Sequence, residues 1–478
     1  MRSDKLQNAI GMVDEDLVAR TEKTTQKKKT RHVIKWTVPI AAMLAIALAF
    51  GIFFGQGSPF VPTAYALAEA EYPDIPKYPK NYHDEEATWA WSKAQRERAA
   101  YFGKAEGLDS FIRATVPEFL INAEDGNLVY SPLNVYLALA ILAETTDGET
   151  REQILDLLGS KDIEALRENA NALWNANYND DGIVTSLLAS SLWLRDGFTY
   201  DMDTLKTIAE TYYASSFSGE MGSDLYNKQL QAWLDEQTGG LLSEHTKDVK
   251  MNIDTILAIA TTIYFKASWE NEFDENRNTK DIFHAPSGDI TTEFMNQSNA
   301  GATYYWGENF SAASLGLEES GAMWFILPDE DVSVDTLLQD EEVLSFLSTK
   351  NRYEWQNKKR ALIHYSIPKF DVDSKLDLIK GMKNLGVTDC FDPFASDFTP
   401  LTTEEDKLYV SKVEHAARVT IDEEGVVGAA YTLVIVTTES GTTAPPEEID
   451  FIVDRPFMFA VTGEDGSILF VGVVNQVG

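Results

Sequence analysis

Side chains able to do chemistry are thinly spread in this chain. Its six histidines are scattered, none of them in a His-Glu-x-x-His pair, and its single cysteine, Cys390, can neither close an internal disulfide nor anchor zinc. No glycine-rich loop suited to a phosphate is present, and Ser440-Gly441 lacks the strand-turn-helix glycine pattern that exposes a nucleophile. The acidic runs Asp329-Glu330-Asp331 and Glu447-Glu448 read as solvated loop faces. These residues do not suggest an enzyme, and no metal or cofactor is expected.

What stands out instead is a segment fit to be acted upon. After Glu423-Glu424-Gly425 the chain runs through Val426, Val427, Gly428, Ala429 and Ala430 to Glu439-Ser440-Gly441. Side chains of an extended chain alternate faces, so Val426, Gly428, Ala430, Thr432, Val434 and Val436 share one side. None of them is charged or large. The other side is also apolar or β-branched, which is the composition of a strand covered on both faces. Yet the flanks, an acidic hinge and Pro445-Pro446, are loop signals. Taken alone, the segment reads as a core strand ahead of a proline turn; it is also compatible with a chain exposed in one state and sheeted in another.

The elements that must carry this segment come mostly as helices early and strands late, without a βα rhythm or internal repeat, which predicts an α+β domain. Ser131-Pro132 is a good N-cap and first helical residue. Thr150 and Gln153 read as a capping box ahead of the stripe Ile154, Leu157, Leu158, with Gly159 as the stop. Strand-like alternation dominates from Leu408 to Ile421 and from Phe451 to Val474. Cys390 reads as a small buried filler.

Composition separates the N-terminal stretch from the rest. The net charge of -36 argues against nucleic acid and against glycosaminoglycans, whose phosphates and sulfates need clustered Lys and Arg. Against that acidic background, Lys27-Lys28-Lys29, Arg31 and Lys35 precede nineteen uncharged residues from Trp36 to Phe54, enough for a helix to cross a bilayer. Residues 1–35 are therefore expected in the cytoplasm, 36–54 as a membrane anchor, 55–99 as a proline-containing spacer outside, and 100–478 as the folded domain. The rival reading is a signal sequence cleaved near Ala64-Tyr65-Ala66, which would release the body as a secreted protein.

Several motifs carry a resemblance that covers the chain from about residue 100 to its end. Asn127-Leu128-Val129-Tyr130-Ser131-Pro132-Leu133, Tyr264-Phe265-Lys266-Ala267-Ser268-Trp269 with Phe273, Met323-Trp324-Phe325-Ile326-Leu327-Pro328-Asp329 and Ile367-Pro368-Lys369-Phe370 occur in order. Leu385-Gly386, Phe391-Asp392, Ala395-Ser396-Asp397-Phe398, Asp454-Arg455-Pro456-Phe457-Met458-Phe459 and Ser467-Ile468-Leu469-Phe470-Val471-Gly472 complete the set. The chain thus resembles the serpins, a family of protease inhibitors that act as suicide substrates. With its basic and apolar leader it reads as a bacterial, membrane-anchored member.

The resemblance implies helices packed on a large mixed or antiparallel sheet, with smaller sheets and an exposed reactive loop over about 423–446. It implies a monomer whose partner is a serine protease, held as a covalent complex once the cleaved loop inserts into the main sheet. Glu423 through Ala430 would be the hinge, and Trp269 would lie beneath the loop's entry. Ser131, Asn134, Gln231, Thr261 and His415 would latch the centre of the sheet; Asn134, Gln231 and Thr261 each depart from the residue usual in the family. Ala267, Val427, Gly428 and Val477 are further departures. Counting inclusively from Glu423 to Glu439 gives seventeen residues, the family's spacing to the cut, so the bond would be Glu439 to Ser440. That suits a glutamate-preferring protease, or an elastase- or subtilisin-like one if the register slips to Thr438 or Val436. The alternative is a non-inhibitory member serving as a surface binding or structural protein.

Overall fold

The computed structural model describes residues 64–81, 83–121, 126–404, 408–426 and 447–477. The expected anchor at 36–54, hinge residues Val427 to Ala430 and the Glu439-Ser440 bond lie outside the described residues. No helix among the described residues is long and apolar enough to cross a membrane.

Strands β1 (Ala64–Ala68), β2 (Leu128–Tyr130), β3 (Asn179–Asp180), β4 (Thr185–Arg195), β5 (Ala214–Gly219), β6 (Leu257–Ser268), β7 (Thr279–Ala285), β8 (Gly288–Trp306) and β9 (Phe310–Gly316) are followed by β10 (Ala322–Pro328), β11 (Lys358–Pro368) and β12 (Phe370–Asp377). Then come β13 (Glu414–Ile421), β14 (Gly425–Val426), β15 (Glu448–Ile452), β16 (Phe457–Thr462) and β17 (Ile468–Val474). They form an eight-stranded sheet, ordered β1-β5-β4-β6-β14-β13-β12 with β3 beside β4, and a nine-stranded sheet, ordered β15-β11-β8-β9-β10-β16-β17-β2 with β7 beside β8. Both mix parallel and antiparallel pairs: β4 runs parallel to β5, and β11 to β15. The α+β expectation therefore holds, with two large sheets.

Helices α1 (Glu85–Ala99), α2 (Leu108–Leu120), α3 (Pro132–Glu144), α4 (Gly148–Leu157), α5 (Ile163–Asn177), α6 (Met202–Thr211), α7 (Asp224–Gln237) and α8 (Ser243–Thr246) occupy the first half of the body. Helix α3 starts as its sequence predicts, with the Ser131 side chain accepting from Asn134 N and Pro132 in the first turn. Nearly all of its residues are buried, because it packs on β6 of one sheet and β17 of the other. Each large apolar side chain so covered contributes roughly 1.5–3 kcal/mol, which makes α3 the hub that ties the sheets together.

Helix α4 corrects one local expectation. Its N-cap is Asp147, and Thr150 and Gln153 do not form a capping box. Thr150 Oγ1 instead accepts from Asp397 N at 3.0 Å, and Gln153 Oε1 from Thr388 N and Asp389 N at 2.9 and 3.0 Å. Their side chains serve tertiary ties because a distant loop offers unsatisfied N–H groups there. The alternation after Leu408 also begins later than expected, since β13 starts at Glu414.

Within the stretch expected to be spacer, β1 pairs antiparallel with β5 and closes that edge of the eight-stranded sheet. Tyr72 then lies on an aromatic stack of Trp174, Tyr178 and Tyr213. The Asp181 carboxylate accepts from Trp91 and Gln95 of α1 at 3.0 and 3.1 Å.

Candidate functional site

The site lies where β6 and β13 face each other across the middle of the eight-stranded sheet. Among the described residues these two strands share no ladder; the two-residue β14 alone bridges them. Gly425 pairs with Ser268, and Val426 pairs with Ala267 on one side and Ile421 on the other. Val426 is 2% exposed, so the first inward position of the segment is already seated. Below it opens a cavity of about 240 Å³ lined by Thr261 and Ile263 of β6, His415 and Ala417 of β13, and residues of α7 and α8. At Gly425–Val426 the gap between β6 and β13 is one strand wide, since β14 pairs with both.

The chain reaches β14 through a tight turn. Asp422 Oδ1 accepts from Glu424 N and Gly425 N at 2.9 and 3.2 Å, and Trp269 Nε1 donates to Asp422 O at 2.8 Å. Trp269, buried and edge-on to Phe273, thus sits under the loop's entry, where the resemblance places it. Gly425 matters here for close approach: a Cβ on it would lie 2.3 Å from Ala267 O and 2.8 Å from Ser268 Cα. A larger residue would push β14 off β6.

Glu423 anchors this turn. Its carboxylate is 2.6 Å from Lys369 Nζ and accepts from Asn278 Nδ2, while its carbonyl accepts from Phe273 N. Burial works to raise its pKa, but Lys369 and Asn278 outweigh that and hold it below the usual carboxylate range. Lys369 also binds Glu293 at 2.7 Å. Lys369 stands within the Ile367–Phe370 motif, and a lone lysine before a strand gives no sign that it will clasp Glu423. Asn278 carried no signal.

Lower down, four of the five expected latch residues converge. His415 Nε2 accepts from Ser131 N at 3.0 Å, Ser131 Oγ donates to Leu469 O at 2.6 Å, and Asn134 Nδ2 donates to Thr261 O at 3.2 Å. The Tyr130 ring meets the His415 ring edge-on at 5.5 Å. Complete burial lowers the His415 pKa to about 4, so the imidazole is neutral and acts as an acceptor. Thr261 contributes its backbone carbonyl, which explains why an unusual side chain is tolerated there.

Gln231 stands apart from the latch. It lies on α7, where its amide donates to Lys247 O and Val249 O at 3.2 and 2.8 Å and so holds the chain returning from α8. The error has a plain cause: in sequence, a polar residue on a helix says nothing about which side of a sheet the helix covers. Cys390 is fully buried, and that burial pushes its thiol up to about 12, as suits a packing residue.

Known proteins resemble this chain over most of its length. A family model described as Serpin (serine protease inhibitor) matches residues 109–477. The plasma serine protease inhibitor of Mus musculus is 28% identical over 363 residues, 73% of this chain and 85% of the relative. The leukocyte elastase inhibitor of Homo sapiens is 27% identical over 361 residues, 73% of this chain and 93% of the relative. Among solved structures, the native state of the thermophilic serpin tengpin superposes with a TM-score of 0.69 at 24% identity, covering 87% of this chain and all of that one.

Proposed function

Because the chain belongs to the serpin family, we propose that it inhibits extracellular serine proteases as a suicide substrate, capturing them by inserting its cleaved loop between β6 and β13. The observation that carries this reading is β14: two residues of the loop already occupy the slot, with Val426 buried and the rest of the strand position unclaimed by any described ladder.

The proposed sequence starts when the protease's serine hydroxyl adds to the Glu439 carbonyl. The Ser440 amine leaves, and Glu439 remains as an ester on the enzyme. The freed loop then extends the register of β14. Counting on from Val426, Thr432 comes level with Thr261 and His415, and Val434 and Val436 follow on the inward side. About fourteen residues at ~3.3 Å each carry the enzyme roughly 45 Å. Inhibition is a race between insertion and hydrolysis of the ester, in which each ~1.4 kcal/mol on the insertion barrier shifts the outcome tenfold.

The proposed cut at Glu439-Ser440 favours a glutamate-preferring enzyme, whose basic pocket would receive the carboxylate. A cut at Thr438 or Val436 would point to an elastase- or subtilisin-like target. Residues 36–54 are proposed to anchor a bacterial cell-surface protein with its body outside. Pairing of Ala64, Tyr65 and Ala66 with β5 supports retention of the leader, because cleavage there would divide a strand.

The test is incubation with a panel of such proteases. A detergent-resistant band of summed mass and a released peptide beginning at Ser440 are expected. Clean cleavage by every protease, with no such band, overturns the inhibitory reading.

A further inference from the structure

A basic and aromatic patch stands at the downstream foot of the reactive loop. The chain carries a net charge of -36, yet Lys358-Lys359-Arg360 at the start of β11 are three adjacent cations, the one such run among the described residues. Antiparallel pairing sets Lys359 opposite Tyr304 on β8. The Tyr304 and Trp306 rings stack at 6.0 Å, and Lys359 Nζ lies 5.7 and 5.8 Å from their centroids. Both rings are half-exposed, whereas Tyr305 between them is buried. Lys359 Nζ also pairs at 2.7 Å with Glu447, the first described residue after the loop. Lys359 is thereby committed. Its exposed neighbours are not: among the described residues neither Lys358 nor Arg360 meets a carboxylate, and Lys358 Nζ donates only to Trp355 O at 2.6 Å.

Its place decides what meets it. Ser440 lies only seven residues before Glu447, so at ~3.3 Å each the proposed bond stands no more than roughly 23 Å from the patch. A protease domain of about 220 residues has a radius of gyration of roughly 17 Å, and its half-width is larger still. An enzyme closed on Glu439-Ser440 therefore reaches the patch with the face on its leaving-group side. The composition also fits such a contact: Trp, Tyr and Arg carry a disproportionate share of the binding energy at protein interfaces, and exposed cations steer an acidic partner in.

We propose that Lys358, Arg360, Tyr304 and Trp306 form a second contact for the target protease, one that receives an acidic surface beside the enzyme's active site, so that this chain selects among proteases by that surface as well as by Glu439. This rests on the inhibitory reading above. Lys359, fixed by Glu447 and the two rings, holds the patch in shape. The contact acts on capture alone. It lies on the nine-stranded sheet, away from β14, and an exposed charged contact raises the rate of arrival more than the strength of hold, so the race after cleavage runs as before.

The test uses the full chain with every protease of the panel that forms the covalent band, and measures the rate of complex formation between about 50 mM and about 500 mM salt. For at least one of them the natural chain is expected to associate about tenfold more slowly at the upper end. Lys358→Glu with Arg360→Glu should slow that enzyme about ten- to a hundredfold at low salt, with the trapped fraction and the melting temperature unchanged. Trp306→Ala should slow it about tenfold at both salts. Lys161→Glu with Lys206→Glu makes the same charge change at exposed positions of the helical half and should cost less than about threefold. Rates indifferent to salt for every protease, or the two charge-reversed proteins slowed alike, overturn the proposal and leave the inhibitory reading standing. So does a patch whose reversal abolishes retention on a sulfated polysaccharide while association stays the same, which would assign it to a polyanion. If no protease forms the band with the natural chain, the inhibitory reading falls, and this proposal with it.

Discussion

In the nine-stranded sheet, β16 and β17 are buried at every residue and bond a neighbour on each side. In the eight-stranded sheet, β6 is only partly buried at most positions, and the two-residue β14 is its sole described partner on the β13 side. Both sheets draw on the same apolar and β-branched residues. In one, every strand of the centre is paired on both sides; in the other, among the described residues, β6 and β13 are joined only through β14, beside neutral His415. Under the proposed function, that contrast would place the free energy for capture in the pairing of the loop with β6 and β13.

The largest effect expected from this contrast follows cleavage of the loop. If Val434 and Val436 alone become buried, about 3–6 kcal/mol is gained, and the melting temperature should rise by an amount on the order of 10 °C. Scanning calorimetry of intact and nicked protein measures it, and an unchanged transition would remove the distinction between the sheets. Next is Val426→Arg, which places a charge at a nearly fully buried inward position and costs several kcal/mol. The variant should remain a good substrate while its yield of covalent complex falls about a hundredfold or more. A full yield on a denaturing gel would sink the insertion mechanism.

A smaller effect separates the latch from the hinge by pH. His415 has its pKa lowered from 6.5 to about 4 in the fold. Its contribution is complete above pH 6.5. As the pH falls toward 4 the unfolded chain binds a proton that the native state refuses, and roughly 3 kcal/mol is lost. Asp371, held low by its Arg418 hydrogen bonds, and Glu423, held low against its burial by Lys369 and Asn278, lose their contributions only further down. Melting curves between pH 6.5 and 4.5 should therefore slope for the natural chain and flatten for His415→Gln; equal slopes would assign the effect elsewhere. Least of all, Thr261→Ser should shift stability by less than about 0.5 kcal/mol, since only the Thr261 carbonyl is used. A larger loss by urea titration would show that the hydroxyl matters.

These outcomes also mark what was legible in the sequence. Period-two patterning exposed the inward set beginning at Val426, and a local cap signal fixed Ser131-Pro132, because both depend on neighbours in the chain. Motif resemblance brought Ser131, Asn134, Thr261 and His415 together despite wide separation. What failed was long-range polar pairing. Thr150 and Gln153 matched a local cap rule yet were claimed by residues 388–397, and Gln231, expected with the latch, bonds Lys247 O and Val249 O instead. Lys369 and Arg418 gave no warning, since a charged residue's partner is set by the register of strands that the sequence does not reveal.

One last feature is the direction in which β1 lies. Ala64 pairs with Gly219, Gly219 with Arg195, and the next row reaches Leu257, whereas the hinge meets β6 at Ala267 and Ser268. Leu257 and Ser268 are opposite ends of β6, so Ala64 stands at the end of the sheet farthest from Gly425. Under the proposed insertion, a captured enzyme hauled along β6 would finish its journey at the end of the sheet that β1 occupies.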